Sequence, residues 1–142
     1  MKRFALTALA GVVGAGMFFA SPHSALAQRT SPPGGAYQQV SKLVPLPDFL
    51  PGLGTLYVDP ATLPAGPFLA YDQQGHLVSS IYMIPLKDMN AQKAFTGLKI
   101  GQGEPVDHVD IVYNAGHPGV AEPHYHIIVW YISATKAAAL NK

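Results

Sequence analysis

The chain has 142 residues, of which 49% are hydrophobic and only 12% are charged, with a formal net charge of +1 at pH 7 and no cysteine. The lack of cysteine excludes disulfides, thiolate metal sites and cysteine nucleophiles, so any metal must be bound by nitrogen and oxygen. No basic stripe is present that would bind a nucleic acid or an anionic membrane surface. Sparse charge predicts an apolar surface, which favours a homo-oligomer.

The first 27 residues predict a signal peptide. They begin with two basic residues, continue with an uncharged run over Phe4–Ala20 and end with the small-x-small box Ala25-Leu26-Ala27. An uncleaved membrane anchor is the alternative, because roughly 17 apolar residues could just span a bilayer. Cleavage after Ala27 would leave seven basic and eight acidic residues, a net charge of −1. We therefore expect a periplasmic or secreted protein that has no membrane segment after cleavage.

The rest of the chain predicts a leader and one domain. Residues 28–49 are rich in proline and glycine, which break regular structure, so we expect a flexible leader there. Residues 50–142 are enough for one exported domain with its own core and too few for two.

Three short strands are predicted in the first half of the domain. Thr55–Val58 is rich in β-forming residues and is ended by Asp59-Pro60. Phe68–Tyr71 and His76–Ile84 flank a turn that finishes in glycine, so they are predicted to form a hairpin.

A short helix and a second hairpin are predicted in the other half. Asp88 can cap a helix over Met89–Leu98, where apolar residues recur at i, i+3, i+4 and i+7. Val106–Tyr113 alternates apolar and polar residues, and His124–Ser133 is rich in β-branched and aromatic residues. These two segments are expected to pair across the Gly/Pro-rich loop between them. The predicted fold class is α+β (mainly β), a small antiparallel sheet with one short helix.

Three of the six histidines fall within ten residues, at His117, His124 and His126. His124 and His126 would project side by side, because alternate residues of a strand share a face. His117 lies on a loop that can fold back over that face. Pairing of Tyr113 with His124 would place Asp110 near Ile127, and a slip of one residue would place it beside His126, so that either register brings Asp110 into the same neighbourhood. We therefore predict that the three imidazoles converge, with Asp110 as the carboxylate beside them.

This group of four side chains indicates a candidate metal site. Imidazole and carboxylate together suit zinc, copper or iron, and two histidines with a carboxylate also form non-haem iron sites. The alternative is a hydrogen-bonded polar strand edge that binds nothing, since a His-x-His motif alone is weakly specific. No catalytic residue is assigned.

The order of motifs also resembles a known family. Tyr57-Val58-Asp59-Pro60 follows a glycine-rich opening, Gly116-His117-Pro118 lies in the last loop, and Pro123-His124-Tyr125 opens the last strand. Over roughly residues 50–133, these motifs resemble a family of small exported bacterial proteins of unassigned function, typified by a Thermus protein under sigma-E/anti-sigma-E control. The resemblance implies an exported domain with a polar strand face and no assigned activity.

The last strand departs from the pattern of that family. The family pattern runs His-Phe-Asp-Phe-His, which places polar groups at i, i+2 and i+4. In this chain His126 occupies the middle position and Ile128 the last. A face with three polar groups has become a face with two, so the resemblance does not specify a metal.

Three classes of function fit these features. We favour a non-catalytic periplasmic binding or envelope-stress protein whose histidines hold a transition metal or a small polar ligand. A metal-dependent cupin-like enzyme is an alternative, but the cupin glutamate that follows His-x-His by three or four residues has no counterpart among residues 128–131. A purely structural oligomeric envelope protein is the other alternative. Enzymatic activity is left open, with the balance against it.

Overall fold

The computed structural model describes residues 28–102 and 105–142, which form one antiparallel sheet of six strands. The strands are β1 (Gln38–Gln39), β2 (Thr55–Val58), β3 (Phe68–Tyr71), β4 (Leu77–Pro85), β5 (His108–Asn114) and β6 (His124–Trp130). Their spatial order is β1-β2-β3-β4-β6-β5, so β6 lies between β4 and β5. Two short helices, α1 (Leu86–Asn90) and α2 (Ala134–Ala139), and two 3-10 turns, Val40–Lys42 and Pro60–Thr62, complete the described elements. The predicted α+β, mainly β class is confirmed.

The strand predictions agree closely with the sheet. β2 and β3 have the predicted bounds, and β4 begins one residue later and extends to Pro85. The second hairpin is confirmed, because β5 and β6 pair antiparallel over seven residues each. β6 ends three residues early, because the chain bends at residues 131 and 132 and then enters α2. Ser133 caps this helix, where its hydroxyl accepts a hydrogen bond from the Lys136 N–H at 3.4 Å.

The predicted helix over Met89–Leu98 is wrong. The helix in this region is α1, which starts directly after Pro85 and ends before Gln92 adopts a left-handed φ of 56°. Such a residue terminates a helix. Most of the predicted apolar face is exposed, at Ala91, Ala94 and Leu98. An amphipathic pattern that finds no surface to pack against does not stabilise a short helix.

The segment predicted as a flexible leader, residues 28–49, contributes to the folded domain. β1 pairs with β2, and Val40 is buried in the main core. Three further side chains of the segment pack against the same core: Val44, Leu46 and Phe49. The proline-rich sequence prevents regular helix here, so it covers one face of the sheet as an irregular layer.

The predicted signal peptide, residues 1–27, lies outside the described residues. Among the residues that are described, no helix has the length and apolar character needed to cross a bilayer. Cleavage after Ala27 stays a prediction.

The main core lies on the face of the sheet that this irregular layer covers. Most of its members come from β2, β3, β4 and β6, and include Val58, Phe68, Ile81, Met83, Ile128 and Trp130. Along β6, buried residues alternate with half-buried ones, starting with buried His124. Both histidines of β6, which is an inner strand, therefore project from the core face of the sheet.

Candidate metal centre

The two histidines of β6 are held by strands on both sides. His126 pairs with Met83 on β4 and with Val112 on β5, and His124 pairs with Pro85 and Asn114. His124 is fully buried and His126 is 8% exposed. Because β6 has a hydrogen-bonded neighbour along each edge, the backbone that carries both imidazoles is fixed.

His117 is placed by a tight turn in the loop between β5 and β6. The His117 and Val120 backbones exchange two hydrogen bonds, N–H to carbonyl, at 2.9 Å each. The two central residues are Pro118 and Gly119, and the φ of +89° at Gly119 is the left-handed conformation that a type II turn requires. Val120 packs against the main core, so the turn is tethered over the sheet.

The three imidazoles converge, as predicted from their spacing. One ring nitrogen from each of His117, His124 and His126 lies within 4.8 Å of the others. The two Nε2 atoms of His124 and His126 are 2.9 Å apart. Tetrahedral zinc with Zn–N bonds of about 2.0–2.1 Å needs nitrogens about 3.3–3.4 Å apart. Zinc binding would therefore require the shorter separation to open and the longer one to close.

Backbone carbonyls fix the protonation of two of the rings. His124 Nδ1 lies 2.7 Å from the carbonyl oxygen of Glu122, and His117 Nδ1 lies 2.9 Å from that of Pro118. A carbonyl can only accept, so each Nδ1 carries the proton and each neutral ring keeps its lone pair on Nε2. His126 Nε2 then donates to His124 Nε2. A backbone carbonyl on the distal nitrogen is one of the usual partners of a metal-ligating histidine.

The charge state of His126 also suits ligation. Burial, and then the neighbouring His124 and His117, lower the pKa of His126 to about 4. The ring is therefore neutral at pH 7, and only a neutral imidazole can bind a metal ion.

Asp110 is not brought into this group. Tyr113 pairs with Tyr125, so Asp110 lies opposite Ile128, one residue further from the histidines than predicted. Its Oδ2 accepts a hydrogen bond of 2.9 Å from Trp130 Nε1. Among the described residues, the group able to hold a metal consists of the three histidines alone.

The nearest other carboxylate in sequence is also engaged elsewhere. Glu122 Oε2 lies 2.7 Å from Lys87 Nζ, and only the backbone carbonyl of Glu122 contacts His124. The histidine triad, defined as His117, His124 and His126, would therefore supply nitrogen ligands and no negative charge.

Sequence reasoning missed a cavity beside the triad. A space of about 340 Å³ lies between the core face of the sheet and the irregular layer. Most of its lining residues are aliphatic, and its polar lining residues are Asn114, His117 and His126. Because lining residues come from segments scattered between Val40 and His126, no local motif could have indicated the cavity.

The fold and site together define a class: a single-sheet, mainly β domain with a partly buried histidine triad beside an apolar cavity. The fold is similar to the crystal structure of a hypothetical protein, TTHB210, from Thermus thermophilus, with a TM-score of 0.59 and 45% sequence identity. The match covers 68% of this chain and 88% of that chain, so this protein belongs to the same family. No family model and no curated protein matches the chain.

Membership of this family does not indicate an activity for the chain, since the Thermus protein is described only as hypothetical. The predicted resemblance is confirmed as far as an uncharacterised family with a Thermus member. Sigma-E control and export remain predictions.

Proposed function

We propose that this protein binds a transition metal ion through His117, His124 and His126 and acts as a non-catalytic binding protein. The observation that best supports this proposal is the hydrogen bonding of the triad. Two lone pairs, on Nε2 of His117 and of His124, are fixed by backbone carbonyls, while His126 supplies the N–H between the rings. A cation among three neutral imidazoles would satisfy all three lone pairs once His126 moves its proton to Nδ1. Zinc, copper and iron all accept imidazole ligands.

The ligand set supports binding of a further molecule. Structural zinc sites have four protein ligands, whereas three protein ligands leave a position open. Within the described part of the chain, Asp110 and Glu122 are engaged by Trp130 and Lys87, so neither carboxylate is placed as a general base. The described strands also form one sheet, unlike the two-sheet jelly roll of cupins. These features favour binding over cupin-like catalysis.

Zinc titration of untagged protein, monitored by calorimetry after treatment with a chelator, tests this function. We expect about one zinc per chain, as three converging imidazoles provide one site. His117→Ala should abolish tight binding and leave the fold intact, because His117 is only half-buried. His76→Ala, at an exposed histidine outside the triad, is the matched control and should bind like the wild type. Equal zinc affinity in the two variants would refute the proposal.

We also propose that the chain is exported and cleaved after Ala27. The basic start, the apolar run and the Ala25-Leu26-Ala27 box support this location. N-terminal sequencing of protein from the envelope fraction should begin at Gln28. A protein that starts at Met1 and partitions with membranes would contradict export with cleavage.

Self-association is a second candidate role, favoured by the outer strand β5. Three apolar side chains of one face of β5 are about half or more exposed: Val109 at 51%, Ile111 at 65% and Tyr113 at 52%. The strand contains no lysine or proline, the residues that usually protect a sheet edge from pairing. Sedimentation velocity should show an oligomer for the wild type and a monomer for Ile111→Lys. A monomeric wild type would exclude this role.

A further inference from the structure

The cavity beside the triad has the size of a small-ligand site. Its volume of about 340 Å³ falls within the usual range of roughly 300–1,000 Å³. At ~30 Å³ per water-sized atom, it has room for roughly ten non-hydrogen atoms. The walls are formed by aliphatic side chains of the sheet and of the irregular layer, among them Val40, Val44, Leu46, Leu56 and Met83. The body of the cavity therefore suits a hydrocarbon group.

The polar lining residues come together at one end of this cavity. His117 and His126 belong to the triad, and Asn114 pairs with His124 in the sheet register. The Asn114 Oδ1 accepts a 2.8 Å hydrogen bond from the Gly116 N–H, which leaves Nδ2 as the donor of that side chain. The polar end thus combines the proposed metal position with a hydrogen-bond donor, an arrangement suited to an acceptor group.

The charge of the proposed metal site decides which acceptor group suits the polar end of the cavity. A divalent ion held by three neutral imidazoles keeps its full charge, and a buried charge needs a partner. Asp110 and Glu122 are engaged elsewhere, and none of the described residues that line the cavity is charged. The described lining thus supplies no counter-charge, so an anionic ligand is favoured at the open position, and a carboxylate oxygen is a good zinc ligand.

We infer that the site binds a medium-chain aliphatic carboxylate, with its carboxylate at the open metal position and its tail in the apolar cavity. This inference rests on the proposed metal function. The mouth of the cavity agrees with an apolar tail, because the lining residues Leu43 and Leu63 are 39% and 46% exposed. A tail of about eight carbons fills the available volume, since octanoate has about as many non-hydrogen atoms as the cavity can hold.

Calorimetric titration of octanoate into zinc-loaded and metal-free protein tests the inference, with acetate and 1-octanol as matched ligands. Octanoate should bind the zinc-loaded protein at least tenfold more tightly than the metal-free protein, and at least tenfold more tightly than either acetate or 1-octanol. Zinc uptake with equal octanoate affinity in both forms would overturn the carboxylate–metal contact. Equal affinities for acetate and octanoate would overturn the role of the cavity.

The outcome for zinc separates the two claims. Failure of the protein to take up zinc would overturn the proposed function, and with it a carboxylate bound to the metal. If the protein binds zinc but the zinc-loaded protein does not bind octanoate, only the inference about the carboxylate ligand would be overturned.

A pair of exposed-site variants checks the position of the tail. Leu63→Glu adds a negative charge at the mouth of the cavity and should weaken octanoate binding at least tenfold without changing zinc affinity. Leu98→Glu is the control, because Leu98 is 42% exposed and does not line the cavity. Leu56→Trp, which fills the cavity from its wall, should block octanoate and spare acetate. Unchanged octanoate affinity in both Leu63→Glu and Leu56→Trp would place the tail elsewhere and overturn the inference.

Discussion

The hairpin of β5 and β6 carries two side-chain clusters on one face of the sheet: the histidine triad, and a second cluster built around the single histidine His108. The two differ in burial, in geometry and in the partners of their imidazoles. At one end lies the triad, of which two members are buried. At the other end His108 stacks on Trp130, with ring centroids 5.9 Å apart and planes 19° apart. His108 Nδ1 is 2.7 Å from an Asp107 oxygen, and its Nε2 is 3.9 Å from an Asp110 oxygen.

The difference shows what converts histidines into a ligand set. The distal partners of His117 and His124 are neutral backbone carbonyls, which fix a lone pair without adding charge. The partners of His108 are exposed carboxylates, which form ion pairs when the ring is protonated. Such an exposed pair contributes about 0–1 kcal/mol to stability. Burial and convergence mark the triad, and not the second cluster, as the candidate metal site.

The largest predicted effect separates the two clusters directly. His124→Ala should weaken zinc binding on the order of 10²- to 10³-fold, because it removes one of the three imidazoles. In structural sites about 10–16 kcal/mol of zinc affinity comes from four ligands, which is roughly 2.5–4 kcal/mol for each ligand. His108→Ala, the matched change in the other cluster, should keep wild-type zinc affinity. Calorimetric titration of both variants measures the contrast. A larger loss in His108→Ala than in His124→Ala would reverse the assignment.

The next effect concerns the stability of the metal-free protein at acid pH. The pKa of His126 is lowered from 6.5 to about 4, so between these values the unfolded chain binds more protons than the folded one. The free energy of unfolding should therefore fall by about 3 kcal/mol as pH decreases through this window. Urea unfolding at several pH values measures it.

Two variants assign this acid sensitivity to its source. His126→Gln should remove most of the slope between these pH values, while His108→Gln should retain it. A slope that persists in His126→Gln would attribute it to other groups.

A smaller effect is expected at the turn that positions His117. A Cβ on Gly116 would lie 2.5 Å from the Ala121 carbonyl oxygen, at a φ of +130°. Gly116→Ala should therefore shift the loop and weaken zinc binding about 10- to 100-fold, as changes in supporting groups do. Gly97→Ala is the control, since Gly97 also has positive φ but nothing lies within 4 Å. Equal zinc affinities in the two variants would show that this loop does not position a ligand.

The smallest predicted effect tests whether Asp110 stabilises the fold without binding the metal. Asp110→Ala should destabilise the fold by about 1 kcal/mol, because it removes the acceptor of the part-buried Trp130 Nε1. Zinc affinity should not change. A loss of zinc binding comparable with that of His124→Ala would restore Asp110 as a ligand.

The strands and the convergence of the triad could be predicted because both follow from local periodicity. Alternation defined β5 and β6, and the i, i+2 spacing placed His124 and His126 on one face. Asp110 could not be placed, because its position depends on a register difference of one residue and on a hydrogen bond from Trp130. The prediction of a helix over Met89–Leu98 was wrong because most of its apolar pattern is exposed in the described fold.

The irregular layer and the cavity could not be predicted either. Proline-rich sequence indicates where regular structure stops, but it does not show whether a segment packs. The burial of Val40 and the packing of Val44 and Phe49 are long-range contacts with the core of the sheet. The carbonyl contacts of His117 and His124 likewise depend on the local backbone path.

The central claim is that His117, His124 and His126 together hold a metal ion. X-ray absorption of the zinc-loaded, untagged protein tests it most directly, with His124→Ala and His108→Ala measured in parallel. We predict three imidazole ligands with Zn–N distances of about 2.0–2.1 Å, unchanged in His108→Ala and lost in His124→Ala. A zinc environment without imidazole, or one that His124→Ala leaves unchanged, would contradict the claim.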